Sequence, residues 1–118
     1  MLKQETEGMR FMNLPSPIKT YFEADGKADG AAPMSAFAKD AVVEDEGKTY
    51  RGLDAIETWW RAAKAKTEHT AEPFAIEQKG DVTEVQAKVA GNFPGSPANL
   101  TFAFRLADGA ITQLRIGA

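Results

Sequence analysis

An α+β domain, with helices in its first half and an antiparallel sheet in its second, is what this sequence predicts, on three observations. Apolar residues recur at helical spacing in two N-terminal stretches, Ile18 to Phe22 and Ile56 to Ala63. From Glu68 onward, apolar and polar residues alternate one by one, as in Val85, Ala87 and Val89 against Glu84, Gln86 and Lys88. Turn residues, Lys79-Gly80-Asp81 and Asp108-Gly109, interrupt that second half at hairpin spacing.

The chain has 118 residues, 43% hydrophobic and 26% charged. That is the size of one domain, large enough to hold a core without disulfide or metal staples. Absence of cysteine excludes thiolate nucleophiles, cysteine zinc sites and iron–sulfur clusters. A net charge of -3 argues against a nucleic-acid partner, which needs clustered positive charge. Neither a bilayer-spanning apolar run nor a signal-peptide pattern is present, so no membrane partner and a cytoplasmic location are expected.

Residues 1–14 read as a leader in which Phe11 and Met12 can dock, and 15–118 as the single domain. Ser16-Pro17 opens the first helix, with serine as cap and proline where no N–H is needed. Ile18, Tyr21 and Phe22 form its apolar stripe, with Ala24 or Ala28 extending it, while Lys19, Glu23, Asp25 and Lys27 face water. Gly26 and Asp29-Gly30 end it. A second, short helix is expected from Pro33 to about Lys39, a strand over Ala41–Asp45, a turn at Glu46-Gly47-Lys48 and a short strand at Tyr50-Arg51. Leu53 to Lys66 is the strongest helical run, with Ile56, Trp59, Trp60 and Ala63 on one face and Arg61, Lys64 and Lys66 suiting the helix dipole at its end. Four long strands follow, at about 68–78, 82–92, 99–107 and 110–117, and Phe93 to Ala98 is a loop.

This order resembles the nuclear-transport-factor-2-like, or SnoaL-like, superfamily over residues 15–118. Tyr21 and Phe22, the run Phe37-Ala38-Lys39-Asp40-Ala41-Val42-Val43-Glu44-Asp45, and Gly52-Leu53-Asp54-Ala55-Ile56 leading into Trp59-Trp60 carry the resemblance. It implies a cone-shaped, curved antiparallel sheet with three N-terminal helices enclosing a mostly apolar pocket, a cystatin-like roll that commonly pairs into homodimers through the sheet. The superfamily contains isomerases, dehydratases, epoxide hydrolases, cyclases and non-catalytic proteins, so the fold leaves the function open.

Within the superfamily, Tyr21 and Asp45 match in spacing and context the helix tyrosine and strand-end aspartate of ketosteroid isomerases. The resemblance implies that Asp45 is a proton-shuttling base and Tyr21 a hydrogen-bond donor to a carbonyl oxygen. The alternative is that Tyr21 is a core residue and Asp45 the polar end of a strand. Phe102 stands where those isomerases have a second, protonated aspartate, and the long-strand core positions offer no carboxylate of the kind the family's cyclases use. Phe37, Trp59, Trp60, Phe102 and Phe104 are candidates to line the pocket, together with Phe74 and Phe93, although most of these aromatics also serve as core. Glu44 should point away from Asp45. Gln113 and Arg115 alternate on the last strand and reach either the pocket or an outward dimer face. His69, the only histidine, could stand at the pocket mouth or on the surface. No metal site or cofactor is expected. The expected partner is a small apolar or oxygen-bearing organic ligand, bound by an isomerase or lyase or by a non-catalytic module.

Overall fold

The computed structural model describes residues 14–118. The expected leader, with Phe11 and Met12, lies outside the described residues except for Leu14. Helix α1 spans Ser16–Asp25 and helix α2 spans Leu53–Thr67. The strands are β1 (Phe37–Asp45), β2 (Lys48–Arg51), β3 (Thr70–Lys79), β4 (Val82–Ala90), β5 (Ala98–Ala107) and β6 (Ala110–Gly117). None of the described helices is long and apolar enough to cross a membrane.

The expected third helix is a single 3₁₀ turn, Met34–Ala36. Phe37 is already extended at φ -99° and ψ 142°, and it pairs with Ile111 of β6. Met34, Phe37 and Ala38 fit a short helix and a strand equally well by local pattern, and the long-range pairing decides. At the start of α1, Pro15 occupies the N-cap position and no side chain caps the helix, so Ser16 begins the helix and leaves the orphan N–H groups uncapped.

One six-stranded sheet has the order β2-β1-β6-β5-β4-β3. It is mixed rather than wholly antiparallel: β1 and β6 run parallel, and every other neighbouring pair is antiparallel. The meander β3 to β6 starts at the far edge and returns beside β1. Register breaks at Phe37/Val42, Pro73/Ala75 and Arg105/Leu106 bend the strands, as bulges do. On one face of the sheet, Ala41, Val43, Val85, Ala87, Phe102, Phe104, Ile111 and Leu114 pack with Ile18, Tyr21 and Phe22 of α1 and Ile56, Trp59 and Trp60 of α2 in a single core. α2 stops where Glu68 turns left-handed at φ 50° and donates its N–H to the Lys64 carbonyl.

Candidate functional site

Asp45 closes β1 two residues after buried Val43, so period-two alternation turns it toward the helices. There the Trp59 indole N–H donates to Asp45 Oδ2 at 3.0 Å. Tyr50 from β2 lies against Trp59, with ring centroids 6.0 Å apart. Burial raises the Asp45 carboxyl above its ordinary range; the Trp59 bond pulls it back, Glu46 and Asp25 push it up and His69 pulls it down. The neighbouring tryptophan has a different task. Trp60 donates its indole N–H to the Gly30 carbonyl at 2.9 Å, pinning the loop that follows α1. Glu44 points away as expected, accepting a 3.0 Å bond from Arg115 Nε on the opposite face.

Tyr21 is 1% exposed and sits at the centre of an aromatic cluster. Phe22, Phe37, Trp60, Phe102 and Phe104 surround its ring at centroid distances of 5.1 to 6.2 Å, mostly edge to face. Of the expected pocket-lining residues, Phe37, Trp60, Phe102 and Phe104 therefore pack on Tyr21 itself. Its phenol is held well above the ordinary value, first by burial, then by the charges of Asp25 and Asp45 and by side-chain hydrogen bonding to Asp25. It is a neutral donor flanked by two carboxyl groups.

One of these carboxyl groups corrects the expectation that Asp25 faces water, and its partner Lys64, read from the sequence only as suiting the helix dipole, is buried with it. Lys64 Nζ lies 2.7 Å from Asp25 Oδ1, with side chains only 7% and 3% exposed. His69 joins them: its Nε2 is 3.3 Å from Asp25 Oδ1, and its Nδ1 lies 2.8 Å from Thr67 Oγ1. The single histidine therefore belongs to a buried charged cluster that reaches Tyr21, rather than to the open surface. Spacing carried the signal. Ile18, Tyr21, Phe22 and Asp25 occupy i, i+3, i+4 and i+7 of α1, and Ile56, Trp60 and Lys64 follow at i, i+4 and i+8 of α2.

Gln113 and Arg115 are not brought to this site. They pair across from Val42 and Glu44 on β1, one step out of phase with Leu114 and Ile116, which oppose Val43 and Asp45. That register puts both on the face away from Tyr21 and Asp45. Phe74, another candidate lining residue, is 54% exposed on the edge strand β3. A groove of about 510 Å³ opens between the outer side of α1 (Lys19, Glu23, Gly26) and the start of β3 (Thr70, Pro73), with Leu14 at its rim. Neither Tyr21 nor Asp45 lines that groove. The side chains with raised proton affinity, Asp45 and Tyr21, lie apart from it. No group of three metal-ligating side chains occurs among the described residues.

The model of the SnoaL-like domain matches residues 18–114. The chain belongs to the SnoaL-like family. A Sinorhizobium meliloti protein provisionally named a polyketide cyclase has a solved structure similar to this SnoaL-like domain, with 48% identity, TM-score 0.83, and coverage of 89% of this chain and 96% of that one. A Catenulispora acidiphila protein with a ketosteroid isomerase-like fold, solved in complex with trimethylamine, shares the fold at 20% identity and TM-score 0.75, covering 88% of this chain and 85% of that one. A cystatin-fold protein from Novosphingobium aromaticivorans shares it at 17% identity and TM-score 0.69, covering 87% and 96%. Comparison with curated proteins gives no significant match.

Proposed function

We propose that this SnoaL-like domain binds a small, mainly apolar, oxygen-bearing organic molecule beside Asp45 and works as a cofactor-independent isomerase or lyase. The observation that carries this reading is a half-buried carboxyl whose burial lifts its proton affinity, held by Trp59 and close enough to Tyr21 to act on its phenol. A carboxylate so placed accepts a proton from the carbon next to a ligand's carbonyl. The carbon's electron pair then moves onto the carbonyl oxygen, and Tyr21 donates a hydrogen bond to it. Asp45 returns its proton to another carbon in an isomerisation; in an elimination it protonates the leaving group. Phe102, which is buried, offers the oxygen no second donor, so Tyr21 acts alone. The 48% identical neighbour carries the provisional name polyketide cyclase, an enzyme name in keeping with a catalytic reading.

The test is a ligand-observed binding screen of steroids, terpenoids, aromatic ketones and small organic acids, followed by an NMR titration of Asp45 and turnover assays on the hits. Saturable binding that perturbs Asp45, and turnover lost in Asp45→Asn, support the reading. Equal turnover in Asp45→Asn, or an Asp45 carboxyl titrating in the ordinary range, refutes it.

A second reading, a non-catalytic ligand-binding or dimeric interaction module, is favoured by the close aromatic packing around Tyr21. Gln113 and Arg115, turned outward, suit an association face on the open side of the sheet. Light scattering across a dilution series, with Arg115→Glu as the disrupting variant, tests the expected homodimer.

A further inference from the structure

The proton-shuttle reading leaves Asp25, Lys64 and His69 without a task, although a buried ion pair is costly to assemble. Lys64 is fully engaged. Its ammonium faces Asp25 Oδ1 at 2.7 Å, the Asp25 carbonyl at 3.3 Å and the His69 carbonyl at 2.8 Å, and it lies 5.1 Å from the centre of the Trp60 ring. Two carbonyls accept from it and the Asp25 carboxylate balances its charge, so it is neither a free nucleophile nor a ligand's counter-ion. His69 is fixed from its other side by Thr67 and presents Nε2 to Asp25. Asp25 Oδ1 thus makes two close polar contacts, neither aligned as a well-directed hydrogen bond. The two groups hold the carboxylate by the same oxygen, Oδ1.

What this clamp holds still lies one helical turn away. Tyr21 and Asp25 are i and i+4 on the buried face of α1, neighbours on the helix surface. We propose that Asp25 is a positioning residue of the Asp45 site: clamped by Lys64 and His69, its carboxylate accepts the hydroxyl of Tyr21 and fixes where that phenol points. Before a ligand arrives, the phenol proton is directed to Asp25. A ligand oxygen claims it as negative charge develops there, which makes the interaction strongest when it is needed. This inference rests on the reading of Tyr21 as donor, and it adds Asp25 to that site.

The test reads Tyr21 directly. The chain has two tyrosines, so Tyr50→Phe leaves Tyr21 as the one position labelled when the protein is produced with a difluorinated tyrosine, whose phenol ionises at accessible pH. Fluorine NMR then follows its titration with and without Asp25→Asn. The expected result is a midpoint lower by at least about 1 pH unit in Asp25→Asn, a tenfold easier ionisation. An unchanged midpoint in folded Asp25→Asn overturns the proposal. A second measurement on the unaltered protein needs no variant to fold: the Tyr21 hydroxyl proton should show a nuclear Overhauser contact to the Asp25 β-protons, and lack of that contact also overturns it. Both readouts persist in Asp45→Asn, so failure of the proton-shuttle reading and failure of this one are separable.

Discussion

Replacing Lys64 by methionine keeps the side-chain stem that packs beside Trp60 and removes only the ammonium. The Asp25 carboxylate, 3% exposed, then loses its ammonium partner and keeps His69 at 3.3 Å, and the Asp25 and His69 carbonyls lose a donor. Removing one partner of a buried ion pair costs about 3–5 kcal/mol. We therefore expect Lys64→Met to lose about 3–4 kcal/mol, or roughly 12–16 °C in Tm for a domain of this size. Urea unfolding followed by tryptophan fluorescence is the assay, because Trp60 lies directly under the missing charge. The double variant Asp25→Asn with Lys64→Met should recover part of the loss, giving a coupling of roughly 2 kcal/mol in the mutant cycle. A loss below about 1 kcal/mol, or strict additivity in the cycle, would refute the reasoning, because the pair would then carry no interaction in the folded chain.

Three further outcomes are expected. The folded-state proton affinity of Asp45 is raised, so its contribution to stability is fully present below the unfolded carboxylate range and is lost as pH rises through the folded value. Asp45→Asn should accordingly be the more stable protein at neutral pH, by less than about 1 kcal/mol because solvent still screens the group, with the gap closing in acid urea titrations. At Gly91, an added Cβ would lie 2.7 Å from His69 Cα and 2.8 Å from the Thr67 carbonyl oxygen, so Gly91→Ala should cost roughly 2–3 kcal/mol and shift the His69 ring resonances. Arg115→Ala removes an exposed ion pair with Glu44 and should change stability by under about 0.5 kcal/mol. Any ligand found for Asp45 should bind this variant within about twofold of the parent, as calorimetry would show.

How far the sequence reveals this molecule depends on how local each determinant is. The hairpin turns and alternating strands were legible because period-two burial is written residue by residue, and β4 shows it in full from Thr83 to Val89. Asp45 was legible as a site candidate through its match to the strand-end aspartate of ketosteroid isomerases, and it follows buried Val43 at the same phase. Parallel pairing of β1 with β6 was not legible, since the two strands are far apart in sequence and the meander between them sets their relative direction. The same pairing extends β1 back to Phe37, over residues whose local pattern suits a short helix. Asp25 and Lys64 were missed for a different reason: a charged residue type was given more weight than its position on the stripe. Each fills the last buried slot of its helix, and their opposite charges in equivalent slots are the signal that a buried pair joins the two helices.

Placing a phenol between two carboxyl groups divides the labour of the site. Burial and the flanking acids keep Tyr21 protonated, so it can donate a hydrogen bond but cannot serve as base or nucleophile at neutral pH. In the proposed reaction, proton transfer falls to Asp45, the half-buried member with a raised proton affinity. Asp25 is unsuited to that work, because the Lys64 ammonium at 2.7 Å and the His69 imidazole at 3.3 Å already hold its Oδ1. The two acids therefore take different roles because their surroundings differ: apolar burial and one indole N–H at Asp45, an ammonium and an imidazole at Asp25. Exchanging the environments should exchange the roles. If Asp45 gained a buried cation, its proton affinity would fall toward the ordinary range and with it the driving force for taking a proton from carbon.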